Sequence, residues 1–259
     1  MRNIKLTLAY DGTDYSGWQA QPDQPTIQGE VARVLKQVSQ QDVALHGAGR
    51  TDAGVHALGQ VANFQTASRL SPSELHRAIN ALLPAAIRVL AAEEVPADFH
   101  ARHSANGKVY SYRIVCDAVM PPFAARYALH HPGALDVHAM ESATAHFIGE
   151  HDFTSFAASP DAGADSGERP SPVRTIWESS VLLVPAMEPP ALPSGTLQFR
   201  VRGRSFLRYM VRKMVGTLLD VGRGRLQPAD VARILAARDP GQSGATAPPH
   251  GLFMERVEY

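Results

Sequence analysis

The chain has 259 residues, 44% hydrophobic and 19% charged, with 25 Lys plus Arg balanced by 25 Asp plus Glu. That composition excludes a disordered chain and a coiled coil, and zero net charge means that any nucleic-acid binding has to come from a local cluster. The single cysteine, Cys116, excludes an internal disulfide and a cysteine-rich zinc site. Neither a signal-peptide apolar core nor a run of ~18 apolar residues occurs, so a soluble cytoplasmic protein is expected.

Ile4, Leu6, Leu8 and Tyr10 alternate with Lys5, Thr7 and Ala9, a strand period. Residues 26–39 read as a helix: Thr26 caps it, and Ile27, Val31, Val34, Leu35 and Val38 fall on one face. Strands are expected at 43–50 and 57–65, with 51–56 joining them. Ser71-Pro72-Ser73-Glu74 is a capping box with Pro at the first helical position, and Pro84 stops the helix it opens near Leu83. A strand at 87–95 completes a β-α-β-β-α-β order, the ferredoxin-like unit. The second half repeats that order. Strands are expected at 107–116, 173–184, 196–202 and 252–258, and helices at 137–148, 206–221 and 228–238. Segments 157–172, 186–195 and 239–250 read as loops, the first of them mobile, because Ala, Ser, Pro, Gly and Asp bury too little apolar area to order themselves. The expected domains are 1–105 and 106–259, with the active site where they meet.

Three places carry candidate chemistry. Arg50-Thr51-Asp52-Ala53-Gly54-Val55-His56 joins two expected strands, and Gly47, Gly49 and Gly54 let the backbone turn tightly there. Asp52 is either aimed at a substrate or simply caps a turn. The stretch 200–225 holds Arg200, Arg202, Arg204, Arg208, Arg212, Lys213, Arg223 and Arg225 against one acid, Asp220. It reads as a phosphate-binding surface or as a solvated face. Arg208 and Arg212 are four apart on an expected helix and so share a side of it. Tyr110 and Tyr112, flanked by Lys108 and Arg113, either stack on bases or are half-buried sheet residues. The eleven histidines lack two-ligand spacing with a matching carboxylate, so no metal site is expected. G-x-S-x-G and G-x-x-x-x-G-K-[ST] are both missing.

Taken together these segments resemble the tRNA pseudouridine synthase A family nearly end to end. The resemblance rests on Tyr10-Asp11-Gly12-Thr13, Gly17-Trp18-Gln19 and Thr26-Ile27-Gln28-Gly29-Glu30. It continues through Gly49-Arg50-Thr51-Asp52-Ala53-Gly54-Val55-His56-Ala57, Lys108-Val109-Tyr110-Ser111-Tyr112-Arg113 and Phe206 to Gly216, and ends at Ala247-Pro248-Pro249-His250-Gly251-Leu252. The resemblance implies an α+β fold. Two ferredoxin-like halves form one mixed, largely antiparallel sheet, with helices on one face and a cleft between the halves. It implies isomerisation of uridine to pseudouridine at positions 38, 39 and 40 of the tRNA anticodon arm, by a homodimer that uses no cofactor and no metal. It also implies that Asp52 is the catalytic carboxylate, as nucleophile or as acid/base, that Arg212 pairs with it, and that Tyr110 stacks on the uracil and takes its C5 proton. In the same reading Leu252 packs on the base, Arg50 fills the vacated stack, and Lys108, Arg202, Arg204 and Arg208 contact phosphates. A silent RNA-binding protein and a nucleoside hydrolase are the other classes the residues admit.

Overall fold

A computed structural model describes residues 1–158, 171–185, 193 and 195–259. The expected loops at 157–172 and 186–195 lie largely outside the described residues. The chain forms two compact units, Met1–Lys108 with Phe253–Tyr259, and Val109–Leu252.

In the first unit, β1 (Arg2–Tyr10) is central. It pairs antiparallel with β3 (His56–Thr66) on one side and β4 (Ile87–Val95) on the other. The expected alternation is real: Ile4, Leu6, Leu8 and Tyr10 are all buried. Two helices complete this unit. In α1 (Ile27–Ser39) the Thr26 hydroxyl accepts the Gly29 N–H, and Ile27, Val31, Val34 and Leu35 are buried. In α2 (Pro72–Leu82) Ser71 and Glu74 cap each other's backbone, and Leu75 and Ile79 are buried. The expected strand at 43–50 shrinks to β2 (His46–Gly47), paired antiparallel with Asn63 and Ala62 of β3. The other end of that edge of β3 is taken by β10 (Leu252–Glu258), which pairs in parallel through Phe253 with His56 and Met254 with Ala57. From Phe253 onward the last strand therefore belongs to the first unit and not to the second, as chain order suggests. The Phe253 ring stacks on His56 with centroids 4.7 Å apart, and Met254 is fully buried.

The second unit has strand order β5–β9–β8–β7, from β5 (Gly107–Val115), β7 (Gly149–Asp152), β8 (Val173–Val184) and β9 (Thr196–Gly203). β7, β8 and β9 are antiparallel neighbours, whereas β6 (Leu129–His130) runs parallel to β5. Neither β6 nor β7 is expected from the sequence. Two and four residues are too few for a period, and Gly-Glu-His-Asp has no strand composition. The helices are α3 (Val137–Thr144), capped by Asp136, α4 (Met210–Gly222) and α5 (Asp230–Ala237). α4 begins four residues later than expected because Tyr209 adopts a left-handed backbone, φ 65°, which the helix cannot include. Phe147, Phe153 and Phe156 meet edge to face in the core of this unit. Each unit is thus α+β around a mixed, largely antiparallel sheet. Among the described residues no helix is long and apolar enough to cross a membrane.

Candidate active site

Asp52 lies in the loop between β2 and β3, half-buried. Backbone hydrogen bonds hold that loop on the segment that follows β1. The Thr51 carbonyl accepts the Trp18 N–H at 3.0 Å, and the Gly54 N–H donates to the Tyr15 carbonyl at 3.3 Å. The turn closes on the main chain, with the Val55 N–H donating to the Asp52 carbonyl at 3.1 Å. The two segments approach so closely that two glycines are required. A Cβ on Gly12 would lie 2.0 Å from the Val55 carbonyl oxygen. One on Gly17, whose φ is +91°, would lie 2.6 Å from the Thr51 carbonyl oxygen.

Polar side chains brace the loop from inside the unit. The Tyr10 hydroxyl lies 2.9 Å from Thr51 Oγ1. Gln60 Nε2 donates to the Gly49 carbonyl at 2.8 Å and to Tyr10 at 3.4 Å. His56 accepts the Gly12 N–H on Nδ1 at 3.1 Å. The same nitrogen lies 3.2 Å from Asp11 Oδ1. Arg50 is exposed, and its Nε donates to Gln19 Oε1 at 3.1 Å. Gln19 in turn donates to Gln28, and Gln28 to the Leu45 carbonyl, both at 2.8 Å. Lys108 folds back on the loop, with Nζ 2.8 Å from the Ala48 carbonyl.

Tyr110, Arg212 and Leu252 belong to the second unit. Tyr110 is buried, with the Phe206 ring edge-on at 5.0 Å. Tyr112 is not a stacking residue. It is fully buried and its hydroxyl donates to the Pro248 carbonyl at 2.8 Å; burial pushes its pKa well up, against the opposing charge of Arg212. Arg212 Nε donates to the Ala247 carbonyl at 2.6 Å, and the Ala247 N–H returns a bond to the Arg212 carbonyl. The 247–248 backbone that leads to Leu252 is therefore fixed by Arg212 and Tyr112 together. Leu252 opens β10, buried, behind the Gly251 that packs on the Tyr112 ring.

The basic stretch is divided. Arg200 and Arg202 both reach Glu178, at 3.4 and 3.2 Å, and Arg202 also covers the Trp177 ring. That acid stands across from Arg202 on β8, so a count along β9 misses it. Arg204 is exposed just past the end of β9. Arg208 precedes α4 instead of sharing a side of it with Arg212, yet both guanidinium groups lie over the Tyr209 ring, at 4.8 and 5.1 Å. Lys213 turns inward to the Pro240 carbonyl, and desolvation lowers its pKa. Arg223 and Arg225 share Asp220. Among the described residues no cluster of three or more His, Cys, Asp or Glu side chains is arranged to hold a metal ion.

Within the first unit, then, one carboxylate sits on a loop immobilised by its own backbone. The second unit presents an aromatic and cationic set on a clamped turn. The family model described as tRNA pseudouridine synthase matches residues 7–104 and 143–259. The chain belongs to that family and is an isomerase that converts uridine to pseudouridine in tRNA. Its relatives include the tRNA pseudouridine synthase A of Solibacter usitatus, 47% identical over the whole of both chains. The tRNA pseudouridine synthase A 1 of Desulfotalea psychrophila and the tRNA pseudouridine synthase A of Lacticaseibacillus casei are 44% and 42% identical, again over the whole of both chains. Lys108 and Tyr110 fall in the interval that the family model skips, but within the full-length alignments to these relatives.

Proposed function

We propose that the chain converts uridines 38, 39 and 40 of the tRNA anticodon arm, with Asp52 as the catalytic carboxylate. The observation that supports this most is the immobilised Asp52 loop, in a chain whose family performs this isomerisation. The net reaction breaks the C1′–N1 bond, forms C1′–C5 and moves one proton from C5 to N1, so atoms balance without a co-reactant. A carboxylate serves such a reaction as covalent nucleophile or in proton transfer, and a fixed one loses no orientation entropy at the moment of reaction. Tyr110 is assigned to stacking on the uracil and accepting its C5 proton. Arg212 is assigned as the cation that pairs with the Asp52 carboxylate, and Leu252 as the apolar surface for the base. Target uridines paired in a stem have to be extruded, at a cost of a few kcal/mol. Arg50, steadied by Gln19, is assigned to the vacated stack, and Lys108, Arg202, Arg204 and Arg208 to phosphates. The enzyme is proposed to be a cytoplasmic homodimer; sedimentation as a clean monomer at working concentration refutes the dimer.

The test is carbodiimide mapping of an unmodified tRNA with uridines at 38, 39 and 40, using wild type and Asp52→Ala. Stops at those positions with wild type alone support the proposal. Stops elsewhere move the target, and turnover by Asp52→Ala sinks the role of Asp52. Tight tRNA binding with no stops at all points to a silent RNA-binding protein, and released uracil to a hydrolase.

A further inference from the structure

The reading of Asp52 leaves a buried polar assembly in the first unit without a role. Tyr10, Thr51 and Gln60 are 4%, 7% and 0% exposed, the first and last of them on the inward face of β1 and β3 beside Leu8 and Ala62. Buried polar groups are costly unless satisfied, so a connected set of them calls for a reason. The geometry connects the set through an oriented Gln60. Gln60 Oε1 accepts the Val61 N–H, and its amide nitrogen faces the Gly49 carbonyl, which fixes the orientation of the side chain. The second amide hydrogen is then directed to the Tyr10 oxygen. The Tyr10 hydroxyl in turn lies 2.9 Å from Thr51 Oγ1, a bond in which either oxygen can supply the proton. Burial pushes the Tyr10 hydroxyl up to about 12, so it remains a donor at neutral pH.

The two ends of this chain of bonds are Gly49 and Thr51, on either side of Arg50 and just ahead of Asp52. The backbone is built to deliver them. Leu8 pairs with Gln60 but Tyr10 pairs with Ala57, so β3 carries an irregularity between those points. Bulges of this kind re-aim side chains beside functional sites. Here it sets Ala57, in place of Leu58, opposite Tyr10.

We propose that Tyr10, oriented by Gln60, is a positioning residue that sets the geometry of Asp52 through the Thr51 hydroxyl. This rests on Asp52 being the catalytic carboxylate. Tyr10 touches no substrate in this account; it acts through the loop.

The test uses the full-length enzyme and three substitutions of similar shape. Tyr10→Phe removes one oxygen and keeps the ring beside Trp18. Thr51→Val removes the hydroxyl, and Thr51→Ser restores it. Single-turnover pseudouridine formation at saturating enzyme is measured with tRNA affinity and melting temperature. Tyr10→Phe and Thr51→Val are expected to slow the chemical step roughly 10- to 100-fold, the upper figure being what a 1 Å misplacement costs, with affinity unchanged. Thr51→Ser is expected near the wild-type rate. The double variant is expected to be no slower than the slower single one, because both cut the same connection. Wild-type rates in Tyr10→Phe and Thr51→Val, with Asp52→Ala inactive, overturn the positioning role and leave the role of Asp52 standing. Losses of rate, affinity and melting temperature in parallel, without rescue by Thr51→Ser, also overturn it, as a general structural effect. Turnover by Asp52→Ala removes the reading beneath it.

Discussion

Gly12→Ala is the sharpest test of the idea that the Asp52 loop works because it cannot move. The new methyl would stand 2.0 Å from the Val55 carbonyl oxygen and 2.7 Å from its carbon, both backbone atoms. Ordinary contact begins at 3.4 Å, so the loop or the 11–13 turn has to yield by about 1.4 Å. No rotamer change relieves this, because neither partner is a side chain. Val55 is three residues from Asp52 and bonded to its carbonyl, so the displacement is carried to the carboxylate. A shift of that size is worth on the order of 100-fold in rate. Overpacking of this kind costs about 1–3 kcal/mol of stability, or about 2–4 °C per kcal/mol for a chain of this size. The assay is single-turnover pseudouridine formation at a temperature where the variant remains folded, alongside tRNA affinity. The expected outcome is a loss on the order of 100-fold in the chemical step, with affinity retained. A folded Gly12→Ala enzyme working at the wild-type rate refutes the idea that close backbone approach aims Asp52.

Three further outcomes follow from particular side chains. Thr26→Ala removes the acceptor of the Gly29 N–H and is expected to cost about 1 kcal/mol, whereas Thr26→Ser costs little; equal melting curves for the two refute the cap. Arg208→Glu should weaken tRNA binding and lower its salt slope by about 0.7–0.9 for each phosphate that is no longer neutralised. Arg202→Glu, whose parent side chain is engaged with Glu178, should do less; an unchanged slope in the Arg202→Glu/Arg208→Glu double variant removes this surface from the interface. His100 has its pKa lowered from the ordinary 6.5 by desolvation first, then by His103, His46 and Arg102. Its folded value lies below its unfolded one, so the native state resists protonation and stability falls as the pH drops below 6.5. His100→Asn keeps a side-chain acceptor for the Arg102 N–H and should flatten the fall in melting temperature between about pH 7 and pH 5; an unchanged fall assigns that sensitivity to other groups.

What can be read from the chain in advance divides by whether the determinant is local. β4, β8 and α2 end within a residue of where alternation and caps place them, because a cap or a two-residue period is a property of neighbouring residues. The shrinking of β2 and the return of β10 to the first unit depend on how one edge of β3 is shared, and no window of sequence contains that competition. The site shows the same division. Asp52 stands out because glycines and a dense motif surround it in sequence. Glu178 does not, because it reaches Arg200 and Arg202 from the adjacent strand. The partnership of Arg50 with Gln19 spans 31 positions. Tyr10 and Gln60 are the most recoverable of the residues that sequence reasoning misses. Alternation puts Tyr10 on a buried strand face, and the amide nitrogen at position 60, inside the expected strand 57–65, finds its partners only at Gly49 and Tyr10. A glutamine at such a position is tolerated only where the fold supplies hydrogen bonds to it. Its presence beside the Asp52 motif is therefore the available sign that the loop is held from within.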